Sequence, residues 1–335
     1  MSIDLPVLAS STAIETIGTP WLWVGSIGVV LALLVLDFAM TRRPHEVSMR
    51  EAIGWTVFYI ALPVAFGVYL WAKHGSTTGV EFFTGYLLEK SLSVDNLFVF
   101  MLLLSAFAVP AALAQRVLLY GIAGALVLRG IFIALGAAAL ASLDWAFLLF
   151  GAILLVTAVK LLADAVKGDD EAVDISSMKS VQLLRRFMPV TDEYQGTRMT
   201  VVQAGKRALT PLALVVTAVM ATDLVFAVDS VPAVYGVTSD PYLVFATNAF
   251  ALLGLRALYF VLHAALSRLV HLAYGLAAIL AFIGLKLVLH WAHGVWSGVP
   301  TIPTAASLVV IVVVLATVTL TSLRATRDQQ TVDAS

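Results

Sequence analysis

Apolar residues gather in nine stretches of membrane-crossing length, at 21–40, 52–72, 80–108, 112–140, 143–166, 209–236, 241–262, 269–293 and 303–323. At 1.5 Å of rise per residue, about 20 helical residues cross the roughly 30 Å of bilayer hydrocarbon. The pattern predicts an all-α, polytopic membrane protein of nine transmembrane helices. One long polar gap, 167–208, divides the chain into helices 1–5 (21–166) and helices 6–9 (209–323). The expected organisation is a single transmembrane domain over 1–323, a cytoplasmic linker at 167–208 and a cytoplasmic tail at 324–335. Within the linker, "SVQLLRRFMPV" fits a short interfacial helix with Arg185 and Arg186 toward lipid headgroups or a docking site for a partner, but a plain solvated connector is the favoured expectation.

The basic residues orient the helices. With the N-terminus outside, fourteen of the twenty Lys and Arg residues fall in inner segments and one, Lys73, falls in an outer loop. This is the positive-inside bias, and it predicts N-terminus out and C-terminus in. Residues 1–20 hold no Lys or Arg ahead of the first apolar run, so the first helix is expected to stay in place. A chain that is 61% hydrophobic and 12% charged, with mean hydropathy +0.97, carries more apolar surface than a water-soluble core could hide. A net charge of −1 provides no basic face for nucleic acid. With no cysteine, disulfides and thiolate metal sites are excluded. Trp21, Trp23, Trp71, Trp291 and Trp296 fit the membrane interfaces.

Charges inside the apolar runs are costly and point to function. The bases Lys90, Arg129, Lys160, Arg256 and Lys286 lie within spans, as do the acids Asp37, Glu89, Asp95, Asp223 and Asp229, which suggests internal neutralisation by ion pairs. Their order repeats. Glu89 and Asp95 are six residues apart, as are Asp223 and Asp229, and each second acid is followed by a small polar residue, Asn96 or Ser230. An arginine follows in the next helix (Arg129, Arg256) and a lysine in the one after (Lys160, Lys286). Helices 3–5 and 6–8 therefore read as two copies of a three-helix unit. An odd-numbered unit reverses direction in its second copy, giving a 3+3 inverted repeat of the kind that places a substrate site on a pseudo-two-fold axis near the midplane.

These acids, with Asn96, Ser230 and Asn248, form an all-oxygen set suited to hard divalent ions such as Mn²⁺, Ca²⁺ or Mg²⁺. Six residues turn a helix through about 600°, so acids so spaced lie about 120° apart and cannot chelate one ion from an unbroken helix. The expected pair is Asp95 with Asp229, one from each copy, with protons or the intramembrane bases exchanging for metal. Pro232 removes the partner of the Val228 carbonyl and predicts a kink or break around Asp229 and Ser230. Asp37 is a gate or a wetted residue, and His290 and His293 are interfacial. An intramembrane aspartyl hydrolase is disfavoured, because acids paired with bases stay ionised; no enzyme and no permanent cofactor are expected.

"GYLLEKSLSVDNLFVF" and "DLVFAVDSVPAVYGVTSDPYLVFATNAFALLGLRALYFVL", with "LVLDF" around Asp37 and "TAVKLL" around Lys160, closely resemble the TerC/Alx family of bacterial membrane proteins. The resemblance implies efflux of Mn²⁺ or a similar dication across the bacterial inner membrane, with Glu89, Asp95, Asp223, Asp229 and Asp37 as the matching positions. The family's name comes from tellurite-resistance gene clusters, so the alternative is a non-transporting membrane subunit that docks soluble stress-resistance proteins at 167–208.

Overall fold

The protein is described by a computed structural model covering residues 16–41, 47–143, 145–167, 181–182, 186, 189–191, 193–203, 206–263, 271–296 and 298–333. The side chain of Asp95 and most of the linker's first half lie outside the described residues.

Ten α-helices and one two-stranded hairpin follow one another in these residues: α1 (Pro20–Met40), α2 (Met49–His74), α3 (Ser76–Ala106), α4 (Ala111–Ser142), α5 (Ala146–Lys167), β1 (Thr200–Gln203), β2 (Lys206–Leu209), α6 (Pro211–Tyr235), α7 (Pro241–Leu253), α8 (Leu255–His263), α9 (Leu272–Val295) and α10 (Thr304–Asp333). Seven of them, α1, α2, α4, α5, α6, α9 and α10, are long and apolar enough to cross a membrane, and α7 with α8, bent by 42°, makes either an eighth, broken span or a re-entrant loop. α3, 31 residues long, covers the 80–108 stretch of the sequence pattern and carries Glu81, Glu89, Lys90 and Asp95. The protein is therefore a polytopic, all-α membrane protein.

Local chemistry sets the helix ends. Thr19 caps α1 by accepting from the Leu22 N–H at 3.2 Å, with Pro20 as first helical residue. Ser48 caps α2 through the Glu51 N–H at 3.2 Å. Asp240 caps α7 through the Tyr242 N–H at 2.8 Å, ahead of Pro241, and its carboxylate also receives Thr16 Oγ1 at 2.6 Å and the Ile17 N–H at 2.8 Å. Gly75 alone joins α2 to α3, at φ +93°, a conformation that disfavours side chains with a Cβ.

α6 and α7 form the interior, with α3 and α4 against them, while α1, α2, α5 and α10 turn apolar residues such as Trp21, Val57, Val156 and Val309 outward. Outward apolar side chains on hydrogen-bonded helices are what hydrocarbon requires. α4 packs on α6, α3 on both α6 and α7, and α5 on α9. The α5–α9 crossing is close because two glycines face each other. A Cβ on Gly151 would stand 2.8 Å from the Gly284 carbonyl oxygen, and one on Gly284 would stand 3.0 Å from that of Gly151.

Three expectations are corrected. Pro232 does not break α6, which runs as one helix to Tyr235; the proline falls in its last turn, where one lost bond costs the helix little. The break lies instead at Gly254, between α7 and α8. A Cβ there would lie 2.9 Å from Lys90 Nζ and 3.1 Å from Tyr59 Cβ, so a side chain would need Lys90 to swing aside and Tyr59 to give slightly. Finally, the polar gap ends in a β-hairpin rather than a plain connector: Thr200 pairs with Leu209 and Gln203 with Lys206 in antiparallel register. Tyr194 donates its hydroxyl to the Phe107 carbonyl at 2.8 Å, which fastens this region to the end of α3, and burial pushes that hydroxyl up to about 12, so it stays a donor. The alternative of an interfacial helix around Arg185 falls largely outside the described residues, although Val181, Gln182 and Arg186 are helical.

Candidate functional site

At the meeting of α3, α4, α6 and α7 a single guanidinium binds three side chains. Arg129 of α4 donates Nε and Nη2 to the two carboxylate oxygens of Asp223 on α6, each at 3.1 Å. Its Nη1 reaches Glu89 of α3 and donates to Asn248 Oδ1 of α7 at 2.9 Å. All four side chains are buried, Glu89 completely. Charges so far from water hold only when paired and hydrogen-bonded, and the fork of an arginine suits a carboxylate in two-toothed contact. Two carboxyl groups share one guanidinium here, so ionisation of both would leave the core of the bundle with negative charge to spare, the condition under which a further cation is attracted.

A second cluster ties α1, α4 and α8. Arg256 donates Nη2 to Asp37 Oδ1 at 2.7 Å and Nη1 to Gln115 Oε1 at 2.9 Å, all three buried. Arg129 therefore pairs with both Glu89 and Asp223, whereas Arg256 pairs with Asp37. Asp37 is accordingly a buried ion-pair partner rather than a wetted residue. Gln115 carries no charge and belongs to no motif, which is why the sequence did not single it out.

The remaining candidates line two cavities. One, of about 420 Å³, lies between α3, α5, α6 and α9 and is lined by Asn96, Lys160, Asp164, Asp229 and Ser230. The other, of about 310 Å³, lies where α3 and α5 begin and α6 ends, and it is lined by Glu81, Thr238, Lys286, His290 and Thr304. In it Thr238 donates to Glu81 at 2.7 Å, Lys286 donates to Ser307 at 3.1 Å, and His290 packs edge-on against the Phe147 ring at 4.6 Å. Lys90 donates to the Ala251 carbonyl at 3.3 Å, beside the α7–α8 break. Glu81 and Asp164 were missed as site residues, and they end the one-to-one matching of intramembrane acids and bases. Both sit near helix ends, where a polar residue reads as ordinary. Among the described residues no three His, Cys, Asp or Glu side chains converge as a ready-made metal cage. The Asp95 half of the expected Asp95–Asp229 pair lies outside the described residues.

Comparison with known proteins fits this arrangement to a family. The description "Integral membrane protein TerC family" matches residues 74–330. The chain belongs to the TerC family. It is 42% identical over 275 residues to an uncharacterised membrane protein, STKORF319, of Myxococcus xanthus, an alignment that covers 82% of this chain and 85% of the relative. It is 42% identical over 317 residues to the Alx protein of Salmonella typhi, named as a candidate membrane-bound redox modulator, with 91% of this chain and 94% of the relative covered. Alx of Escherichia coli K12 is 41% identical over 308 residues, covering 89% and 92%. No solved structure matches. The TerC match spans every element from α3 to α10, and so takes in both the Arg129 cluster and the two cavities.

Proposed function

We propose that this TerC protein is a bacterial inner-membrane exporter of divalent metal ions, Mn²⁺ foremost, working by exchange of access between the two sides of an inverted-repeat bundle. The observation that carries the reading is the meeting of Glu89 and Asp223 at one guanidinium. They are the first acids of the two repeat copies, they come from helices of opposite direction, and they lie buried together. An ion-pair cluster of this kind inside a membrane bundle marks a transport path more often than a mere brace. The packing supports the repeat: exchanging α3–α5 for α6–α9 maps the α4–α6 contact onto α3–α7 and maps α5–α9 and α3–α6 onto themselves. On this reading the N-terminus is outside and the C-terminus inside.

In the arrangement described, Arg129 occupies the negative centre and closes it. A dication entering beside Glu89 and Asp223 competes with that guanidinium, and all-oxygen ligands favour a hard ion. Asn96, Asp229 and Ser230 line the cavity from which it would come, with Asp95, Lys160 and Lys286 as further polar stations and protons as the counter-substrate. The cation is cargo, so no permanent cofactor is needed and no bond is made or broken. The redox role in the name of Alx would need chemistry other than thiol exchange here, because the chain has no cysteine.

The test is Mn²⁺ flux in proteoliposomes. Purified wild-type protein is expected to move Mn²⁺ down an opposed pH gradient, and Asp223→Asn to reduce the rate at least tenfold; no flux for wild type with Mn²⁺, Ca²⁺ or Zn²⁺ would sink the reading. In that event the folded hairpin and Tyr194 anchor at the end of the bundle favour a non-transporting subunit that docks soluble stress-resistance proteins.

A further inference from the structure

Hydroxyl groups on these helices have a common fate. Thr84, Ser91, Thr217, Thr222 and Thr247 each donate to the carbonyl one turn earlier, at 2.6 to 2.9 Å, the usual way an apolar helix hides an O–H. Ser93 and Ser230 do not. Their Oγ atoms are buried with no partner, and the same holds for Glu89 Oε2 and Asn96 Nδ2. None of these four residues is more than 4% exposed. Buried polar groups are nearly always satisfied, and four orphans in one neighbourhood require an explanation.

Their placement offers one. Glu89, Ser93 and Asn96 stand at i, i+4 and i+7 on α3, one face of the helix over an advance of about 10 Å. Ser230 stands seven residues after Asp223 on α6, again the same face two turns on. Asn96 and Ser230 open onto the 420 Å³ cavity, while Glu89 is bound to Arg129. Ser93 lies between the two ends of this row, and no protein group uses its hydroxyl.

We propose that this face of α3, completed by Ser230, is a hydrated passage leading from the cavity to the Glu89–Arg129–Asp223 cluster, with Ser93 as its middle station. Water satisfies the four orphaned atoms. A dication following the same row exchanges part of its hydration shell for the neutral oxygens of Ser93 and Asn96 before it meets a carboxylate, a graded binding that lets an ion enter without being trapped. The cation's use of the passage rests on the transport reading above; its filling with water does not.

A chain without native cysteine allows a direct test. Single variants Ser93→Cys, Asn96→Cys and Ser230→Cys are made in the full-length protein, with Leu88→Cys and Leu97→Cys, fully buried apolar positions of α3, as controls. In proteoliposomes the rate of modification by methanethiosulfonate ethylammonium is measured with and without Mn²⁺. The three passage positions are expected to react at least tenfold faster than the two controls, and Mn²⁺ to slow reaction at 93 and 96 severalfold. Labelling at 93 as slow as at 88 would overturn the passage, whether or not the protein transports. Fast labelling that Mn²⁺ leaves untouched upholds the water-filled passage and counts against the transport reading. Thermal stability of Ser93→Ala equal to wild type is expected as well, since the hydroxyl holds nothing in the fold.

Discussion

Arg129 grips Asp223 with two nitrogens, each 3.1 Å from its own carboxylate oxygen, and has only Nη1 left for Glu89 and Asn248 together. The two acids are thus held unequally. Asp223 has both oxygens engaged by the guanidinium, whereas Glu89 keeps a buried oxygen without a partner. Replacing Arg129 with Gln leaves two buried carboxylates uncompensated, and a loss of about 3–5 kcal/mol is expected. Thermal unfolding in detergent should show a large drop, partly restored when Asp223→Asn is added; an unshifted melting curve for Arg129→Gln would contradict the cluster.

The Asp37–Arg256 pair predicts a different pattern. It is buried yet lies outside the Arg129 cluster, so Asp37→Asn and Arg256→Gln should each destabilise by about 2–4 kcal/mol, and the double variant by far less than the sum. A double-mutant cycle measures this, and simple additivity would show that the two side chains do not depend on each other.

Lys90 is a half-buried amine whose hydrogen bond goes to a carbonyl, and among the described residues no carboxylate lies within ion-pair distance of it. Burying a charge on such terms is costly, and an apolar residue of similar length removes that cost. Lys90→Met is therefore expected to raise the melting temperature or leave it unchanged, in contrast to Arg129→Gln. A clear fall would mean that the ammonium holds the α7–α8 break together.

The α5–α9 crossing predicts a steric effect. Gly151→Val sets methyl groups against the Gly284 backbone and should cost about 1–3 kcal/mol through displaced helices. Gly25→Ala and Gly28→Ala, on α1, meet nothing within 4 Å and should be neutral or mildly stabilising. Melting temperatures of the three variants decide between these outcomes.

The parts of this fold visible in the sequence are those that lipid dictates. A bilayer forces helices of set length and penalises every stray charge, so apolar runs place the elements and the exceptions, Glu89, Arg129 and Asp223, mark the cluster. Partnership between distant residues is not written that way. Arg256 holds the repeat position of Arg129, yet its partner Asp37 stands 219 residues away on a helix outside the repeat. The α7–α8 break was similarly hidden, because Pro232 offers a local reason for a bend while Gly254 is approached closely only by Lys90 and Tyr59, which belong to other helices. The hairpin at 200–209 went unseen because strands of four residues barely disturb a polar stretch.

The lone Gly75 between α2 and α3 leaves no slack between helices of 26 and 31 residues. α2 also packs against α3, so a shift of α3 at Glu89 would be felt along a helix whose outer face is apolar. A rearrangement of the charged centre that moved both helices would then include an elastic share from the surrounding bilayer.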